Sequence, residues 1–124
     1  MTNFKGFQFN LERLVNDLQK TLQGENYKEF YPKVIPIHKD YDKVINAFVT
    51  KIKNTAHNNK IDLKDLILKL TYDYTKNDPI LEIHTKDNVI EINIGYELSI
   101  ILKCDVAITS SHNHNIMIVG NLGK

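Results

Sequence analysis

The sequence predicts an α+β domain: two to three N-terminal helices packed on a four- to five-stranded antiparallel meander sheet. Three observations lead there. Apolar residues recur at helical spacing from Leu11 to Leu22 and again from Tyr41 to Ile52. From Leu66 onward they alternate with polar residues, the period of a strand with one buried face. Residues 79–94 then read as a hairpin with its apolar side chains on one face and its polar ones on the other. The helices are expected within 10–57 and the sheet within 66–120, in a single domain spanning 1–124. A chain of 124 residues, 42% apolar and 25% charged, can bury one core without staples.

The first helix is expected to begin at Asn10, a good N-cap, with Phe9 poised to staple onto Leu14. Leu11, Leu14, Val15, Leu18 and Leu22 form its stripe, and Gly24 is a natural stop. Residues 25–31 fit a short second helix with Tyr27, Phe30 and Tyr31 inward. Pro32 ends it, and 32–37 is extended between two prolines. A longer helix runs from about Asp40 to His57, burying Tyr41, Val44, Ile45, Phe48, Val49 and Ile52. The polar string 57–60 is a loop.

Residues 61–75 fit either a helix capped by Asp62 or a strand. The strand is favoured from Leu66 to Thr75, because Thr71-Tyr-Asp-Tyr-Thr75 is rich in β-formers. Asn77-Asp78-Pro79 is a turn. In the hairpin that follows, Asp87-Asn88 is taken as a two-residue turn, since both residues tolerate positive φ. Lys86 then faces Val89, Thr85 faces Ile90, Ile83 faces Ile92 and Leu81 faces Ile94. On the polar face His84 meets Glu91 and Glu82 meets Asn93. Gly95 breaks the pattern. Residues 97–109 alternate again, with Leu98, Ile100, Leu102, Cys104, Val106 and Ile108 on one side, and read as one long, bent strand. Residues 110–115 form a polar loop, 116–119 a short last strand and 120–124 a tail.

Sixteen basic against fifteen acidic side chains leave a net charge of +1, which argues against a polyanion-coating protein. Ten basic and six acidic side chains fall in residues 1–60, and six basic and nine acidic in 61–124. The helical half is therefore basic and the sheet half acidic. Arg13 is the sole arginine, and a nucleic-acid binder favours arginine for phosphate and guanine. Its abundance of lysine, asparagine and isoleucine is the bias of an AT-rich genome, bacterial or phage. Cys104, the single cysteine, allows no internal disulfide and fits a reducing compartment. The first residues lack an apolar leader core, and no stretch has the roughly 18 apolar residues of a membrane span. A cytoplasmic location is expected, with no membrane partner.

Three places are candidates for chemistry. His112-Asn113-His114-Asn115 sets two histidines at i and i+2, which on a strand point the same way and could share a metal with His84, Cys104 or Asp105. A polar loop tip explains the string as well, and no metal or cofactor is assigned. His84 with Glu82, Glu91 and Asn93 could form an acid/base cluster, but a sheet face open to water is not a cleft. Cys104 reads as a buried structural thiol. Lys39, Lys43, Lys51, Lys53, Lys60 and Lys64 offer a basic helical surface.

No motif commits to a reaction. The leading expectation is a small non-enzymatic protein-interaction module, of the inhibitor, immunity or accessory type. It would bind a protein partner, or a second copy as a homodimer, through the sheet edge or the polar sheet face. The expected partner-binding residues are Ser111, His112, Asn113, His114, Asn115, Ile116 and Ile118, because 116–119 lacks the lysine or proline that guards an edge strand. Small-ligand or metal binding through His112, His114 and the sheet concavity is the alternative, with nucleic-acid binding through the lysine-bearing second helix behind it.

Overall fold

The computed structural model describes residues 8–30, 39–73, 75–76, 78–103, 105–109 and 117–121. The class is α+β, as expected: strand β1 (Gln8–Asn10), helix α1 (Leu11–Leu22), helix α2 (Lys39–Asn58), strands β2 (Ile67–Asp73), β3 (Asp78–His84) and β4 (Val89–Asn93), helix α3 (Ile94–Leu102), and strands β5 (Asp105–Thr109) and β6 (Met117–Asn121). Single 3-10 turns stand at Tyr27–Phe30 and Leu63–Asp65. The expected single meander is corrected. The strands form two three-stranded antiparallel sheets, β2-β3-β4 and β1-β6-β5.

The N-terminal helix follows its local signals. The Asn10 side chain accepts from the backbone N–H groups of Glu12 (2.8 Å) and Arg13 (3.2 Å), relieving two donors that the first turn leaves without partners. At the other end Gly24 takes φ +84°. Its N–H donates to Thr21 O and that of Glu25 donates to Lys20 O, the paired bonds of a Schellman cap. Helix α2 ends the same way. Lys60 N–H donates to His57 O and Ile61 N–H to Ala56 O, but the left-handed position (φ 55°) is held by Lys60 instead of glycine.

One core joins α1, α2, α3 and the inner face of β2-β3-β4. Leu11, Leu14 and Leu18 meet Val44, Ile45, Phe48 and Ile52 of α2, with Leu66, Leu81, Ile83, Ile94 and Leu98 completing it, all buried. Each such aliphatic side chain contributes roughly 1.5–3 kcal/mol on leaving water. Two tyrosines close the rim between α1 and α2. Tyr41 Oη donates to Asp17, which is only 3% exposed, and Tyr27 Oη donates to Asp42. Their rings meet edge to face at 5.9 Å. The salt bridge from Lys51 to Glu97 (2.7 Å) ties α2 to α3.

Residues 61–75 resolve as the strand reading expects. Asp62 caps a single 3-10 turn and β2 follows, with Leu66 and Leu68 buried. The turn after β2 is not centred on Asn77-Asp78-Pro79, because β3 already starts at Asp78. It is built on the Asp73 carboxylate, which accepts from the Thr75 N–H (3.0 Å), the Thr75 hydroxyl (2.5 Å) and the Lys76 N–H (3.3 Å).

The hairpin register is corrected by two residues. Ile83 pairs with Ile90, Glu82 with Glu91, Leu81 with Ile92, and His84 with Val89. The loop is Lys86-Asp87. Thr85 closes it: its N–H donates to Asn88 O (2.9 Å), while its hydroxyl donates to Asn88 O (3.0 Å) and accepts from Asn88 N–H (2.9 Å). None of Lys86, Asp87 and Asn88 has positive φ. The tolerance of Asp and Asn for that conformation, on which the expected turn rested, is not used. A slip of two keeps every side chain on its face, so the expected apolar side is still the buried one.

The long strand expected over 97–109 is also corrected. Residues 94–102 are α3, and only Asp105–Thr109 is strand. Asn93 caps the helix, its side chain accepting from Tyr96 N–H (2.9 Å). Ile94, Leu98 and Leu102, at i, i+4 and i+8, are the residues it buries. Leu98 and Leu102 satisfy both periods, and the neighbouring isoleucines hide the difference. Lys103 at φ 55° ends the helix and turns the chain into β5.

Strand β6 is the middle strand of its sheet, not an edge. Ile118 pairs with Phe9 of β1 on one side and Ile108 of β5 on the other. The expected open edge at 116–119 had left β1 out of the count.

Candidate interaction surface

Strands β2, β3 and β4 turn Leu68, Leu81, Ile83 and Ile92 inward, which leaves the alternate residues on the outer face. The register sets them in rows across the three strands. The first row is Ile67, His84, Val89; the second is Lys69, Glu82, Glu91; the third is Thr71, Ile80, Asn93; Asp73 and Asp78 end the face.

The first row departs from a polar surface. Ile67 is 56% exposed and Val89 50% exposed, on either side of His84. The two aliphatic side chains stand half in water at matching positions of one sheet row and make a short apolar strip on the outer face. Tyr96 (64% exposed) and Ile100 (52%) share a turn of α3 and form a second, smaller apolar spot.

The second row is charged and unevenly satisfied. The His84 ring nitrogen Nε2 lies 2.8 Å from Glu82 Oε1, two residues along the same strand, instead of meeting Glu91 as expected. Glu91 stands directly across from Glu82, and like charges in that relation oppose the pairing. Neither Lys69 nor Glu91 has an ion-pair partner among the described residues. Below them Thr71, Asp73, Asp78, Ile80, Glu82 and Glu91 take part in lining a shallow hollow of about 290 Å³.

Asp73, on the rim of that hollow, has its carboxyl pKa held below the ordinary 3.8, first by the Thr75 hydroxyl bond and then by the N–H groups of Lys76 and Thr75. Among the described residues no group of three or more His, Cys, Asp or Glu side chains is arranged to hold a metal ion.

Of the sequence-based partner-binding residues, Ser111, His112, Asn113, His114, Asn115 and Ile116 lie outside the described residues, as does Cys104. Ile118 lies in the central strand β6. Of the lysines, Lys51 pairs with Glu97, and Lys60 holds the cap of α2 through its backbone N–H. The sequence reading missed Ile67 and Val89. Its signal was present: both are β-branched and fall on the polar parity of strands whose other parity is already apolar.

No protein-family model matches this chain, and neither a curated protein nor a solved structure matches it. No helix among the described residues is long and apolar enough to cross a membrane.

Proposed function

We propose that this chain is a small non-enzymatic protein-interaction module, acting in a reducing aqueous compartment, and that it meets its protein partner with the outer face of β2-β3-β4. The observation that carries this reading is the row Ile67–His84–Val89, two half-exposed aliphatic residues flanking a histidine on a face whose other rows are mostly polar. Burying the exposed parts of both side chains supplies a favourable term of order 1 kcal/mol each. The charged row beside them supplies direction, because it rewards a partner cation next to Glu91.

Part of the β2 edge is already occupied, which favours the face there. On the outer side of β2, the Gln19 side-chain amide donates to Leu66 O (3.0 Å) and accepts from Leu68 N–H (2.7 Å), so that stretch of edge is occupied.

A photo-crosslinking residue at position 67 tests the reading. In extracts of the native host it is expected to trap a protein, whereas the same residue at exposed Asn54 on α2 is not. Equal trapping at both positions, or none at position 67, overturns the assignment of this face.

A further inference from the structure

The outer face of β2-β3-β4 carries a second property, and the inference from it rests on the interaction reading above. We propose that the partner of this face is the same face of a second copy, related by a two-fold axis that runs parallel to β3. A half turn about such an axis exchanges β2 with β4 and keeps each row at its own height.

The register then pairs unlike with unlike. Ile67 of one copy meets Val89 of the other, Lys69 meets Glu91, and Thr71 meets Asn93, each contact occurring twice. Ile80, Glu82 and His84 lie on the axis and face their own counterparts; the two Glu82 carboxylates are the one like-charge contact, and each keeps its own His84. Self-complementarity of this kind is what a two-fold interface demands.

Three features favour this occupant. The two half-exposed aliphatic residues cover each other. The Lys69 ammonium and the Glu91 carboxylate, both exposed and without ion-pair partners among the described residues, receive opposite charges. The local conflict of Glu82 beside Glu91 is relieved, because a cation arrives at Glu91 while Glu82 keeps His84. A two-fold axis perpendicular to the strands gains none of this. It sets Ile67 against Asp73 and Lys69 against Thr71. The complementarity therefore selects the axis along β3.

The face is small. Three strands at about 4.8 Å spacing and four rows of side chains fall well short of the roughly 800 Å² per partner of a standard interface. The dimer is accordingly weak and concentration-dependent, with the two sheets packed in the aligned manner.

Sedimentation equilibrium over a wide concentration range at low salt reads it. The wild type is expected to dimerise. Lys69→Glu and Glu91→Lys are each expected to weaken the dimer by about tenfold or more, since each sets two like-charge contacts in the interface. An equimolar mixture of these two variants should form a heterodimer, and the double variant Lys69→Glu/Glu91→Lys should dimerise again. In a Cys104→Ser background, His84→Cys should be joined to its counterpart by a short bismaleimide linker, because position 84 lies on the axis and stacked sheets stand about 10 Å apart, beyond direct disulfide reach, whereas Asn54→Cys should not. Circular dichroism verifies that every variant is folded. A dimer indifferent to both charge reversals overturns the proposal. If the wild type is monomeric at millimolar concentration while the crosslinker at position 67 traps a different protein, the two-fold inference falls and the interaction reading stands. If it is monomeric and position 67 traps nothing, both fall.

Discussion

Gln19 does for β2 what a neighbouring strand would do, with one side-chain amide serving as both donor and acceptor. Gln19→Ala strips partners from two part-buried backbone groups and is expected to cost about 1–3 kcal/mol in urea unfolding. Gln19→Glu keeps the acceptor for Leu68 N–H but loses the donor to Leu66 O, so a smaller loss is expected. Asp73 gives a pH-dependent counterpart. Its folded-state carboxyl pKa lies below the ordinary 3.8, so its contribution to stability is present above that value and is lost as the pH falls through the lower folded value. A carboxyl titration by NMR should place its midpoint below the ordinary range. Asp73→Asn, which keeps an oxygen acceptor without the charge, should flatten that part of the acid-unfolding profile. Caps such as Asn10 and Gly24 were legible in the sequence because their partners lie within a few residues. Gln19 was not, since nothing local says that its amide reaches a strand more than forty residues away.

At the scale of elements, α3 shows how two periods can coincide. Leu98 and Ile100 share a face in a strand, where both would be buried; in the helix Leu98 is buried and Ile100 is 52% exposed. Leu98→Ala is therefore expected to cost about 2–5 kcal/mol, and Ile100→Ala about 0.5 kcal/mol or less, compared by thermal unfolding. Equal losses would restore the strand. The hairpin register has an equally direct check. With Cys104 replaced by serine, cysteines at Glu82 and Glu91 sit directly opposite and should close a disulfide, whereas cysteines at Glu82 and Asn93 should not. The faces of this hairpin were legible because alternation alone sets them. The partners were not, because the loop is closed by the Thr85 hydroxyl and not by a residue that demands positive φ. The candidate surface was half legible for the same reason. The polar face was foreseen, but the row that places Ile67 beside His84 and Val89 exists only in the true register.

For the whole molecule, the division into two sheets is what the sequence concealed. A three-residue strand at Gln8–Asn10 has too few positions to show a period, and its partner lies at the far end of the described chain. Its weight in the fold can be measured. Removing residues 1–9 keeps the Asn10 cap but withdraws most of β1, leaving one side of β6 without its ladder. The shortened chain is expected to form larger assemblies than the full one by light scattering, as strands with newly opened edges do. The same pairing has a meaning in time. During synthesis β1 precedes the other described strands and waits for β6, which follows nearly all the other described elements. Throughout that interval the helices and β2-β3-β4 can already assemble, while β1 still lacks its neighbour. A ribosome that stalls between the two halves of this ladder would therefore hold a protein with a formed core and an unfinished sheet, a state prone to pair with the wrong chain.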